Sequence, residues 1–187
     1  MLNYNSPIKE NKNYSDLTIK EIYPVMKLNI RGKKREFFTN VGKTLNMILP
    51  TEANTSTTND KLTSIWLSPD EWMIFSNDII EKGDNNYDLE NLLFSNISKN
   101  SFGSICDVTD QYVMINLEGK KIFELLNSGS PFNFNEFKEK KGLTTQTILN
   151  HIDVIIHNKN INNVNLFVRR SFAEHLWSWM NDSARFL

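Results

Sequence analysis

Glycine, cysteine and long apolar runs are all scarce in this chain of 187 residues, and each shortage excludes a class of protein. With 7 glycines and no Gly-x-Gly-x-x-Gly or Walker-type loop after a strand-like run, no dinucleotide or P-loop nucleotide site is expected. The single cysteine, Cys106, cannot form an internal disulfide, which suits a reducing compartment. Because Cys106 has no histidine beside it in sequence, we interpret it as a small apolar side chain and not as a nucleophile.

The charge balance and hydropathy narrow the function further. The 21 basic and 22 acidic residues give a formal net charge of −1, which lacks the basic excess that is usual in nucleic-acid-binding proteins. No run approaches the ~20 apolar residues of a membrane span, and the polar start does not look like a signal peptide. We therefore expect a cytoplasmic protein whose partners are neither nucleic acid nor membrane.

The order of the predicted elements indicates an α+β fold with antiparallel sheets. Strand-like runs lie on both sides of Pro24, two more meet at a turn at Pro69-Asp70, and a helix is predicted to begin near Asp88. The second half reads strand, strand, helix, three strands, helix. The first half fits the same order loosely, with its first helix weak or missing. Such an order differs from the strict alternation of a parallel α/β protein.

The repeated order predicts a duplication. We expect one domain over residues 16–187, built from two pseudo-repeats at about 16–100 and 101–187 with packed helices on antiparallel sheets. Residues 1–15 are polar and are expected to be a poorly ordered N-terminal segment.

One predicted strand carries the side chains of a hypothetical metal site. His151, Asp153 and His157 are separated by even spacings, so their side chains share one face of the strand. The opposite face is the better candidate for the core, and it consists of Ile152, Val154 and Ile156. The polar face is then more readily explained as facing solvent or a partner, and no metal site is assigned.

The last predicted helix runs from Phe172 to about Arg185 and is expected to begin with a capping box formed by Ser171 and Glu174. Its inward stripe is predicted to contain Phe172, Ala173, Leu176, Met180, Ala184 and Leu187.

Two tryptophans make this helix a candidate partner interface. Trp177 and Trp179 lie on opposite edges of the inward stripe, which makes the apolar arc wider than one sheet normally covers. Arg169 and Arg170 end the preceding strand, and Arg and Trp are frequent anchors of protein interfaces. We predict an interface that includes these four residues, with one tryptophan, Trp177 in the first place, exposed in the isolated chain. The alternative is a broad core helix.

Four stretches resemble the gamma subunit of heterotetrameric sarcosine oxidases. They are "WLSPDEWMI", "CDVTDQYVMINLEGKKIFELLNSGSPFNF", "TTQTILNHIDVIIH" and "NLFVRRSFAEHLWSWM", and their order and spacing are kept from about Trp66 to the C-terminus. The resemblance implies a fold similar to the folate-binding domain of the glycine-cleavage aminomethyltransferase, with duplicated antiparallel α+β halves.

The resemblance also implies a function. It predicts a non-catalytic subunit that stabilises the large subunits of an enzyme that oxidatively demethylates sarcosine to glycine, with one-carbon transfer to tetrahydrofolate. The expected partners are the alpha, beta and delta subunits. FAD, FMN, NAD, zinc and tetrahydrofolate are expected in those partners, and no cofactor or catalytic residue is expected in this chain.

A free-standing folate-dependent aminomethyltransferase-like enzyme is the alternative, and a solitary binding protein with the same fold is a third possibility. The transferases have a Gly-Gly segment before an acidic pair on the matching strand. Here Asn150 and His151 occupy the glycine region, and Asp153 is followed by Val154. Because glycine permits close approach of a ligand to the backbone, no folate role is carried over to Asp153.

Overall fold

The computed structural model describes residues 5–8, 10–23, 25–79 and 87–187. This part of the chain contains eleven strands: β1 Lys12–Tyr14, β2 Leu17–Glu21, β3 Lys27–Arg31, β4 Ser56–Thr58, β5 Leu62–Ser68, β6 Glu71–Ser76, β7 Ser104–Asp107, β8 Tyr112–Glu118, β9 Thr144–Leu149, β10 Ile152–Asn160 and β11 Asn163–Arg169. It also contains four α-helices: α1 Arg35–Leu45, α2 Tyr87–Leu93, α3 Ile122–Gly129 and α4 Arg170–Ala184. A π-helical turn, Phe94–Ser98, continues α2. None of the described helices is long and apolar enough to cross a membrane.

The strands form two antiparallel sheets, so the predicted fold class is confirmed. One sheet has six strands in the order β1-β2-β8-β11-β10-β9, and the other has five in the order β4-β5-β6-β3-β7. Every pair of neighbouring strands in both sheets is antiparallel.

The same connectivity occurs twice along the chain. The series β3-α1-β4-β5-β6 places its strands in the order β3-β6-β5-β4, and the series β8-α3-β9-β10-β11 places its strands in the order β8-β11-β10-β9. The strand before each series crosses to the other sheet, because β2 pairs with β8 whereas β7 pairs with β3. The chain is therefore duplicated, and each repeat donates its first strand to the sheet of the other.

Because of this exchange, the two compact units of the structure do not coincide with the two repeats along the sequence. One compact unit combines Asn5–Tyr23 with Gln111–Leu187, and the other is contained in Pro24–Asp110. The segment expected to be poorly ordered contains β1, which pairs with β2. Ile8 is buried in the same core as α4. The described part of residues 5–15 thus belongs to the compact unit that contains Gln111–Leu187.

The prediction that the first helix is weak or missing is wrong. Helix α1 is a regular helix of 11 residues whose buried side chains are Phe37, Val41 and Leu45, at a spacing of four. Apolar residues at this spacing form one face of a helix, but the pattern is recognised only when the whole segment is considered. The ring of Phe37 lies 5.8 Å from the ring of Trp72 in β6, so contacts distant in sequence stabilise α1.

The predicted capping box of the last helix is also wrong. Helix α4 begins at Arg170, and its N-cap residue, Arg169, makes no side-chain capping bond. Ser171 and Glu174 therefore lie inside the helix. The backbone N–H of Arg170 donates to the carbonyl of Gln111 at 2.9 Å, so a tertiary hydrogen bond sets the position where strand β11 passes into α4.

Candidate functional site

The two tryptophans of α4 pack into the core of their own compact unit. Trp177 is 8% exposed and belongs to the core cluster, and Trp179 packs against it as a partly buried side chain. A Cβ atom placed on Gly129 would lie 2.4 Å from the ring of Trp179, so this ring is held against the end of α3. The prediction that Trp177 is exposed in the isolated chain is therefore wrong.

The N-terminal segment covers the flank of α4 where Trp177 lies. The hydroxyl of Tyr14 donates to the side-chain oxygen of Asn181 at 2.8 Å, and Asn181 in turn donates to the carbonyl of Trp177 at 2.8 Å. Pro7 and Lys12 line the same surface cavity as Trp177. The apolar arc that is too wide for one sheet is thus covered by residues that precede the first repeat.

The two arginines have different surroundings. The guanidinium of Arg170 donates to the carbonyl of Asn5, so it helps to hold the N-terminal segment. Arg169 is exposed, and its guanidinium carbon lies 5.8 Å from the centre of the Tyr112 ring. Phe172 is 49% exposed, so the prediction that it faces inward is wrong. Of the four predicted interface residues, Arg169 is the most accessible.

A row of side chains crosses four strands beside Arg169. Tyr112 is paired with Arg169 across β8 and β11, and Asp153 is paired with Ile148 across β10 and β9. The pairing of Val154 with Val168 places Asp153 opposite Arg169 in the adjoining register. We refer to Tyr112, Arg169, Asp153 and Ile148 as the cross-strand row.

The cross-strand row borders a hollow of about 380 Å³, which is also lined by Gln146, Thr147, Val154 and Ile155. Side chains alternate between the two faces of a strand. The neighbours Val113 and Val168 lie in the core cluster that contains the buried residues of α3 and α4. The row therefore lies on the face of this sheet that is turned away from those two helices.

Strand β10 confirms the predicted core face and changes the interpretation of its polar face. Ile152, Val154 and Ile156 all lie in the core cluster, as expected. On the other face Asp153 is exposed, whereas His157 is only 3% exposed. Burial lowers the pKa of His157 to about 4, and the charge of Lys159 lowers it further by a smaller amount. His157 is therefore neutral at neutral pH.

The hypothetical metal site finds no support in the described part of the chain, where no group of three His, Cys, Asp or Glu side chains is placed to hold a metal ion. His151 is exposed in the turn before β10, away from the buried position of His157. Cys106, interpreted as an apolar side chain, is an exposed residue of the edge strand β7.

The β9–β10 turn keeps a glycine-like backbone without glycine. Asn150 has φ 48° and His151 has φ 64°, and the flanking residues Leu149 and Ile152 are paired. Two successive positive φ values are characteristic of a type I′ hairpin turn, which favours Asn-Gly. The turn thus has a backbone conformation that favours glycine, with a histidine at its second position.

Replacing His151 with glycine should therefore stabilise the chain. The substitution creates the preferred Asn-Gly turn and removes a left-handed strain of about 1 kcal/mol, as expected for an L-residue with a side chain. Urea unfolding at neutral pH should show this gain for His151→Gly, whereas His151→Ala should show none. Equal stabilities for the two variants would contradict the prediction.

Two solved structures share this architecture. The chain is similar to the aminomethyltransferase T of the glycine cleavage system from Bartonella henselae, with 15% identity and a TM-score of 0.60 over 90% of this chain and 46% of that chain. It is also similar to heterotetrameric sarcosine oxidase from Corynebacterium sp. U-96 in complex with pyrrole 2-carboxylate, with 18% identity and a TM-score of 0.79 over 90% of this chain and 84% of that chain. The fold is therefore of the aminomethyltransferase type, as the sequence predicted.

The sequence narrows this class to one family. Residues 32–185 match the model of the sarcosine oxidase, gamma subunit family, and the chain belongs to that family. A search of curated proteins found no match. The resemblance on which the sequence-based expectations rested is thus confirmed.

Proposed function

We propose that this chain is the gamma subunit of a heterotetrameric sarcosine oxidase, where it stabilises the large catalytic subunits. The observation that carries the proposal is the family match over residues 32–185. The complex would demethylate sarcosine oxidatively to glycine and pass the one-carbon unit to tetrahydrofolate. The alpha, beta and delta subunits would be the partners and would hold FAD, FMN, NAD, zinc and tetrahydrofolate. The assembly would be cytoplasmic.

A non-catalytic role is supported by the residues at the position of the transferase acidic pair. The second member of that pair is replaced by Val154, which is 3% exposed and lies in the core cluster. A carboxylate at this position would be desolvated without a partner, which is costly. The free-standing aminomethyltransferase is therefore not favoured.

The interface proposal centres on Arg169. Its exposed guanidinium lies over the ring of Tyr112, and Arg and Tyr are both residue types enriched at the energetic centres of protein interfaces. Arg170, Trp177 and Trp179 would contribute indirectly, because they hold the N-terminal segment and α4 in place beneath the surface.

Co-expression provides the test of this function. An affinity-tagged chain should recover the flavin-bearing large subunits in stoichiometric amount, and the complex should oxidise sarcosine. The chain purified alone should be colourless and inactive, and omitting it should make the large subunits lose activity at a lower temperature. A flavin absorbance band that survives dialysis of the isolated chain would overturn the proposal, as would a folded chain that does not associate with the large subunits.

A further inference from the structure

We infer that the cross-strand row and its hollow form a docking socket for a large subunit that presents a carboxylate next to a cationic side chain. This inference rests on the proposed function and identifies the surface and the partner chemistry that the assembly would use. It replaces the exposed tryptophan of the sequence-based hypothesis with a charged site on the face of the sheet turned away from α3 and α4.

The first argument is that the socket holds two opposite charges that are not joined to each other. Arg169 and Asp153 lie opposite one another in register and are both exposed. Among the ion pairs of the described residues, none joins Arg169 to Asp153. The guanidinium lies instead over Tyr112, at 5.8 Å from the ring centre. The guanidinium of Arg169 and the carboxylate of Asp153 are therefore both available to bind groups of a partner chain.

The second argument concerns how the arginine is held. A guanidinium already positioned over an aromatic ring loses less conformational freedom when it binds, and its planar fork matches a carboxylate. The surrounding hollow of about 380 Å³ gives a concave site from which a docked side chain can displace water. Arginine and tyrosine are among the residue types that most often dominate binding energies.

The charge pattern defines the chemistry of the partner. A partner that brought only a carboxylate to Arg169 would place it beside Asp153 and repel that side chain. A partner that also presents lysine or arginine satisfies both groups. Ile148, at the end of the row, is 38% exposed. This apolar surface beside the charges favours a protein partner over a small zwitterion.

Charge reversal in the full-length chain tests the socket. Arg169→Glu and Asp153→Lys should each weaken co-purification with the co-expressed large subunits by at least about tenfold, since each places like charges together. The double variant keeps the net charge of the chain but opposes the partner at both positions, so it should assemble least. Arg185→Glu combined with Asp182→Lys is the matched control, because these two residues form an ion pair of 3.5 Å at the C-terminal end of α4. The control should assemble like the wild type.

Thermal melts of the variants separate assembly from folding, because exposed substitutions should leave the melting temperature nearly unchanged. If the folded double variant assembles as well as the wild type, the socket is not the interface, while the proposed function stands. If the wild type itself does not assemble, the proposed function and the socket fail together. If the isolated chain binds glycine or β-alanine through Arg169 and Asp153 while assembly is unaffected, the row is a small-molecule site and the docking inference is overturned.

Discussion

Replacing Trp177 with alanine is expected to lower the free energy of unfolding of the isolated chain by about 3–5 kcal/mol, the usual cost of truncating a buried aromatic side chain. The ring is 8% exposed and packs in the same cluster as Leu176 and Met180. The N-terminal segment covers this flank, so the neighbours cannot close over the cavity without moving that segment. For a chain of this size the melting temperature should fall by roughly 6–20 °C.

The neighbouring Ser178 provides the control for this experiment. Ser178 is exposed on the same helix, so Ser178→Ala should melt close to the wild type. The remaining folded Trp177→Ala protein should still associate with the large subunits, since the side chain acts within the core. A variant that melts like the wild type but no longer associates would show instead that Trp177 belongs to the interface.

Acidification from about pH 7.5 to about pH 5 should destabilise the chain by about 2 kcal/mol through His157 alone. Burial lowers the pKa of His157 in the folded chain from 6.5 to about 4. Between these two values the unfolded chain binds a proton that the folded chain does not bind, so stability falls as the pH falls. The full contribution of His157 to the free energy of unfolding, about 3 kcal/mol, is present above the pKa of the unfolded chain. It is lost as the pH falls towards the pKa of His157 in the folded chain.

Urea unfolding at several pH values can isolate this contribution. His157→Gln removes the titrating group, so its stability should change less between the two pH values than that of the wild type, whatever the cost of the substitution itself. Ser178 is exposed on α4 and carries no titrating group in this range, so Ser178→Ala should keep the wild-type pH dependence. If His157→Gln and the wild type lose the same stability on acidification, His157 is not the group responsible.

Local patterns were sufficient for most strands and for the order of the elements. Ile152, Val154 and Ile156 are every second residue of β10 and lie on one buried face of the strand. The turn at Pro69-Asp70 separates β5 from β6, as expected. Such features depend on neighbours within a few residues, so periodicity and turn chemistry reveal them. The duplicated order of elements was visible for the same reason. Helix α1 was missed because its apolar residues are spaced over three turns and are stabilised by Trp72 in β6.

The accessibility of the candidate interface residues depends on contacts between residues far apart in sequence, which no local pattern contains. The helical wheel correctly showed an apolar arc on α4 that one sheet could not cover, but it could not show what covers it. The cover is the N-terminal segment, and Tyr14 and Asn181, which bond to each other, are 167 residues apart. The exchange of β2 and β7 between the two sheets brings this segment to α4.

The sequence by itself therefore determined the family, the antiparallel α+β architecture and the presence of an unusually aromatic last helix. Only the tertiary structure decided which residues of that region remain accessible: it buried Trp177 and left Arg169 exposed over Tyr112, opposite Asp153. The physical reason is that the amphipathic pattern of a helix indicates how much apolar surface it must bury. Which element covers that surface depends on pairings between strands that are far apart in the chain.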